Sequence, residues 1–131
     1  MNKLVARFTD GHMVKGTTLD FSPGKDQFHV TQIAPSAPDA VSIHRDDLKA
    51  IFFVKDYEGD PQHVDKHEFD APVPPGERKV SAAFKDGEVL VGTTPGYKIG
   101  LPGFFLTPAD TESNNERCYV IATATREVRF L

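Results

Sequence analysis

The side chains best suited to chemistry lie in one short run, His63-Val64-Asp65-Lys66-His67. Neutral imidazole is a common metal ligand, and a carboxylate between two imidazoles suits a divalent ion. Positions i and i+4 meet only on a helical turn, and a further ligand would be needed. The flanking prolines and Gly59 work against that helix, so the run reads as a solvated linker, with no metal site and no cofactor. Asp46-Asp47 is the one adjacent carboxylate pair. Neighbours in a turn point apart, which makes it a solvated corner. The single cysteine, Cys118, excludes an internal disulfide, and its apolar neighbours Tyr119 and Val120 mark it as a buried, inert thiol. No nucleophile elbow, phosphate-binding glycine loop or zinc-spaced cysteine pair occurs. No catalytic residue is assigned, and an enzyme is not expected.

The elements that must carry these side chains are set by a duplication. Residues 3–31 align without a gap on residues 79–107, with 11 of 29 positions identical, among them Phe8/Phe84, Asp10/Asp86, Gly11/Gly87, Gly16/Gly92, Thr17/Thr93, Thr18/Thr94 and Phe28/Phe104. Chance gives about two at average residue usage. The chain is therefore a tandem repeat of one small unit.

Each unit reads as β-structure. Asp10-Gly11 and Asp86-Gly87 are hairpin signals between alternating segments: Leu4, Ala6 and Phe8 before the first, Val80, Ala82 and Phe84 before the second. A glycine follows five residues after each turn glycine, Gly16 and Gly92, on the inward parity. A mid-strand glycine there implies a bent strand or a close approach of another backbone. A third strand carries Phe28 and Val30, or Phe104 and Leu106. Two more close each unit, Val41–His44 and Lys49–Val54, then Cys118–Ala122 and Glu127–Leu131. A Pro/Ala/Ser loop is expected over 34–40 and a polar loop over 108–116. No amphipathic helix is found, and Arg45-Asp46-Asp47 is a short turn. The division is 1–55 for repeat 1, 56–78 for a proline-containing linker and 79–131 for repeat 2.

Five short bent strands in this order resemble the Sm-like, SH3-like small barrel. The first Sm motif, an Asn/Asp-Gly turn, a glycine five residues on and an aromatic five after that, is matched by Asp10-Gly11, Gly16, Phe21 and by Asp86-Gly87, Gly92, Tyr97. The apolar spacing of the second motif is matched by Ile43, Leu48 and Ile51, and more loosely by Val120, Thr125 and Val128. Asp47–Gly59 also resembles a DLKAIFFVKDxEG-type segment of small bacterial proteins of unknown function. The resemblance implies an all-β fold of two tandem five-stranded barrels, expected to pack by pseudo-twofold symmetry. Sm-like RNA binders hold a base with an asparagine after the aromatic; Ser22–Asp26 and Lys98–Pro102 stand there and lack it. His44-Arg45 and Ile121-Ala122 replace the family's Arg-Gly. Asp20-Phe21-Ser22-Pro23-Gly24 is one residue short of the PilZ D-x-S-x-x-G element and is read as a turn.

The net charge of −4 argues against a general nucleic-acid or anionic-membrane footprint. The chain opens Met-Asn-Lys and contains no long apolar run, so a cytoplasmic location is expected. The repeats differ most where one is apolar and the other is not. Repeat 2 has Tyr97, Ile99, Leu101 and Phe105 in its most apolar stretch, and Phe52 of repeat 1 stands where repeat 2 has Arg129. Outward apolar groups call for a cover: the sister repeat, the linker or another chain. The expected function is a non-catalytic protein-interaction or scaffolding module using Phe52, Tyr97, Ile99, Leu101 or Phe105. The alternative is an RNA- or small-ligand-binding protein with an atypical pocket at His44 and Arg45. Oligomeric state is open.

Overall fold

The structure, a computed structural model, describes residues 3–33 and 40–131. The expected loop over 34–40 lies, but for Ala40, outside them. Ten strands follow in chain order: β1 (Leu4–Phe8), β2 (Met13–Thr17), β3 (Gln27–Gln32), β4 (Val41–His44), β5 (Leu48–Val54), β6 (Arg78–Phe84), β7 (Val89–Thr94), β8 (Gly103–Pro108), β9 (Asn115–Ile121) and β10 (Thr125–Phe130). Arg45–Asp47 and Ala122–Ala124 are single 3-10 turns before β5 and β10. The fold is all-β. Among the described residues no helix is long and apolar enough to cross a membrane.

The hydrogen-bonded order is β10-β6-β7-β8-β9-β5-β1-β2-β3-β4, all neighbours antiparallel. Each repeat thus has the same internal order, its fifth strand beside its first. The registers agree residue for residue. Leu4, Val5, Ala6, Arg7 and Phe8 face Phe53, Phe52, Ile51, Ala50 and Leu48; Val80, Ser81, Ala82, Ala83 and Phe84 face Phe130, Arg129, Val128, Glu127 and Thr125. Both ladders skip one residue at the same place. In hydrogen-bonding terms the two units are halves of one open sheet.

The expected pseudo-twofold is not the relation between them. A twofold joint pairs like with like. Here the fourth strand of repeat 2, β9, pairs with the fifth strand of repeat 1, β5, so the units stand head to tail. The reason lies in the side chains. Residues directly opposite share a face, and the joint needs apolar groups on both faces of β5. It has them: six of its seven residues are buried, whereas β10 has none buried. β9 begins at Asn115, inside the expected polar loop, because strands flank it on both sides.

The inward glycines serve close approach. A Cβ at Gly16 would lie 2.0 Å from the Thr31 carbonyl oxygen, and one at Gly92 would lie 2.0 Å from that of Thr107. The same strand crossing recurs in both units. The Asp-Gly turns also match: Gly11 donates its N–H to Phe8 and Gly87 donates to Phe84, with φ of 98° and 99°. The clash at Gly16 and Gly92 is with backbone, which cannot step aside. Replacing either by alanine should therefore cost about 1–3 kcal/mol or more in a denaturant titration. Alanine at Gly24, where nothing lies within 4 Å, should cost much less.

Candidate functional site: the joint and the open edge

The joint is built from an aromatic ladder on one face of the sheet. Ile51 lies opposite Tyr119 and Phe53 opposite Arg117. Tyr119 lies beside Phe105, its ring 5.0 Å away, and 5.5 Å from Phe21 of repeat 1. The Arg117 guanidinium sits between two rings, 4.6 Å from Phe53 and 4.7 Å from Phe105. Gly103 leaves room for the Tyr119 ring, since a Cβ there would meet Tyr119 Cε2 at 2.7 Å. Repeat 1 has Gln27, Ser42 and His29 where repeat 2 has Gly103, Tyr119 and Phe105. Those three differences make one face sticky and leave its twin polar.

On the opposite face Phe52 lies across from Cys118 and Val5, and the Arg7 guanidinium is 5.6 Å from its ring. Cys118 is fully buried, and burial pushes its thiol up to about 12, in keeping with an inert group. Lys49 of β5 crosses to the β6–β7 turn. It bonds Asp86 at 2.7 Å and also Glu88, over the ring of Phe84.

The residues singled out by sequence thus part company. Phe52, 4% exposed, and Phe105, half-buried, are consumed inside the chain. Tyr97 packs on Phe104 and Phe130 of its own repeat, at 5.0 and 6.1 Å. Ile99 and Leu101 are exposed, at 93% and 48%. His44 is exposed at the end of β4. Arg45 donates from Nη1 to the Lys25 carbonyl at 3.2 Å, and its Nε is buried without a hydrogen-bond partner. It borders a cleft of about 670 Å³ with Asp20, Lys25, Gln27 and His29.

Two sequence features lead to residues that were not anticipated. The stretch 55–77 contains no strand, yet it is not a free linker. Tyr57 donates its hydroxyl to Gly16 O at 3.1 Å, and Asn114 donates to the Asp56 carbonyl at 2.8 Å. Asp70 accepts from the Thr111 N–H, and Lys66 donates its N–H to Asp110. Asp110, in the β8–β9 loop, is 2% exposed. It meets His63 and Asp65 rather than leaving them to pair with His67. Only a buried acid in a polar loop could have flagged it, and burial is invisible in a single loop sequence.

The fold and joint define a class: an all-β chain whose two halves share one five-strand order and join edge to edge into a single antiparallel sheet. A family model described as a family of unknown function (DUF6982) matches residues 1–131, and the chain belongs to that family. Comparison with curated proteins gives no match, and comparison with solved structures gives none either.

Two expectations test this geometry. Phe52→Ala opens a cavity at the joint and should cost about 3–5 kcal/mol, while Arg129→Ala at the matching but solvated position should stay within about 0.5 kcal/mol; paired urea titrations read the contrast. Asp20 accepts from the His29 ring at 2.7 Å and from the His29 N–H at 2.9 Å, which holds its carboxyl at about 2 against an ordinary 3.8. A carboxyl lowered by folding contributes stability above its unfolded pKa and loses it as pH falls through the folded one. The stability advantage of wild type over Asp20→Asn should therefore be full above about pH 4 and shrink towards pH 2. An advantage that does not change with pH would contradict the pairing.

Proposed function

We propose that the protein is a non-catalytic interaction module that takes a strand of a partner protein on its β10 edge. One observation carries this reading: among the described residues β10 is an unpaired end of the sheet, and its face matches the one that receives β9 at the joint. Val128 and Phe130 occupy the register positions of Ile51 and Phe53. Tyr97 lies against Phe130 as Phe21 lies near Phe53. Phe130 is 39% exposed, and Ile99, Leu101 and Leu131 are exposed as well. Main-chain hydrogen bonds to an open edge supply affinity, and side chains on alternate positions supply specificity.

The joint also indicates what the partner strand resembles. Arg117 and Tyr119, two residues apart, cover Phe53 and Phe21. An arginine–x–aromatic strand would lie likewise over Tyr97 and over the part of Phe130 left by Arg78, whose guanidinium is 3.8 Å from that ring. A second copy of this chain is a poorer occupant. Its own free strand, β4, offers Ser42 at the position of Tyr119. The net charge of −4 favours a protein partner over an RNA backbone at the Arg45 cleft.

A synthetic peptide with the sequence of residues 113–122 is the direct probe. Added to the full chain, it should slow amide exchange along β10. Phe130→Asp or Ile99→Asp in the protein, or serine for both Arg117 and Tyr119 in the peptide, should weaken binding about tenfold or more. Peptide binding that leaves β10 exchange unchanged, or no binding at all, would remove this reading.

A further inference from the structure

We propose that His63, Asp65 and Asp110 form a binding site for a divalent transition-metal ion of the zinc or manganese type, clasping the inter-repeat segment to the β8–β9 loop. This site is independent of the β10 edge.

The geometry comes first. His63 Nε2 is 2.9 Å from Asp110 Oδ2 and 3.5 Å from Asp65 Oδ1. One ligand atom from each residue lies within 4.8 Å of the others. Around an ion with bonds of about 2.0–2.2 Å, adjacent ligand atoms stand roughly 3–3.5 Å apart. Both His63 spacings are therefore already near that value, and the two carboxylates would close on the ion with shifts of their side chains.

Charge is a separate argument. The Asp110 side chain is fully enclosed, and among the described residues its one ion-pair partner is the His63 imidazole. The Lys66 ammonium is turned to Asp70 at 3.1 Å, and the Lys55 ammonium donates to the Thr111 carbonyl at 3.3 Å. Two carboxylates thus converge on a group that is neutral in one of its forms. Two backbone N–H groups and the His63 ring hold Asp110 as a carboxylate, and a divalent ion would add positive charge between the two acids.

The surroundings hold the ligands in place. The Asp110 oxygens accept the N–H groups of Lys66 and Glu112, each at 2.9 Å, and Asp65 Oδ2 accepts the Ser113 hydroxyl at 2.7 Å. Such outer partners orient metal ligands. A cleft of about 360 Å³ reaches His63 and Asp65, and its walls include Asp56, Asp60 and Glu112. An ion has a way in, past walls on which these acids outnumber the one lysine, Lys55. One nitrogen and two oxygens suit zinc or manganese; the absence of a thiolate argues against copper(I), and the imidazole against magnesium or calcium.

Binding to the folded state raises stability by mass action, so no catalytic role is needed for the site to matter. The test is calorimetric titration of chelator-treated full-length protein with zinc chloride and, separately, manganese chloride, with magnesium chloride as comparator. Each titration is paired with thermal unfolding. The expected result is one ion per chain for zinc or manganese with a rise in Tm. His63→Gln and Asp65→Asn, both at partly exposed positions, should each weaken it at least tenfold. His67→Gln and Asp70→Asn should leave it unchanged. Failure of both ions to bind, or equal affinity in His63→Gln and wild type, would overturn the site, as would loss in His67→Gln equal to that in His63→Gln.

Discussion

The structure depends on the pairing of β9 with β5. Each repeat is too small to bury much on its own, and each leaves one strand that needs cover on a second face. The joint meets both needs at once. It continues the backbone ladder from one unit to the next, and it buries Ile51, Phe53 and Tyr119 on one side and Phe52 and Cys118 on the other. Arg117 contributes its flat guanidinium between two rings, which a lysine could not imitate. The Lys49 bridge to the β6–β7 turn closes one end of the contact.

A head-to-tail joint has a consequence that a twofold joint does not. It leaves two different ends, β4 and β10, and each is the formal complement of the other. Joints of that kind propagate into rings or filaments unless something stops them. The stop is visible in the side chains. Where the internal joint has Phe52, the free end has Arg129; where it has Tyr119, the other free end has Ser42. Those differences make the free ends poorer partners for each other than β5 and β9 are. One face of β10 keeps its aromatic groups, Phe130 with Tyr97 against it, which is the face on which the proposed partner strand would lie.

Much of this was legible in the sequence because it is local. The hairpins follow from Asp-Gly, and the inward glycines announced a close backbone approach that the Thr31 and Thr107 carbonyls provide. The contrast of Phe52 with Arg129 pointed to a covered surface. The manner of covering was not legible. Which edge meets which is a long-range choice between strands of similar pattern, and symmetry alone suggested the wrong one. The stretch from Lys55 to Glu77 also misled: prolines and charges read as a solvated linker, whereas its polar groups bond to the β8–β9 loop. Hydrogen bonds between two irregular segments have no periodicity to betray them, so Asp110 was passed over while His63 and Asp65 were noticed.

The account is tested most directly by native-state amide exchange on the full chain. If the β9–β5 pairing holds the two units together, the amides along the paired segments, Ala50 to Phe53 and Cys118 to Val120, should exchange only with global unfolding. Both strands should then report one common free energy, above that of the β4 and β10 edges. If instead β5 and β9 exchange as readily as the edges, or report two separate free energies for the two repeats, the units are independent and the joint does not carry the fold.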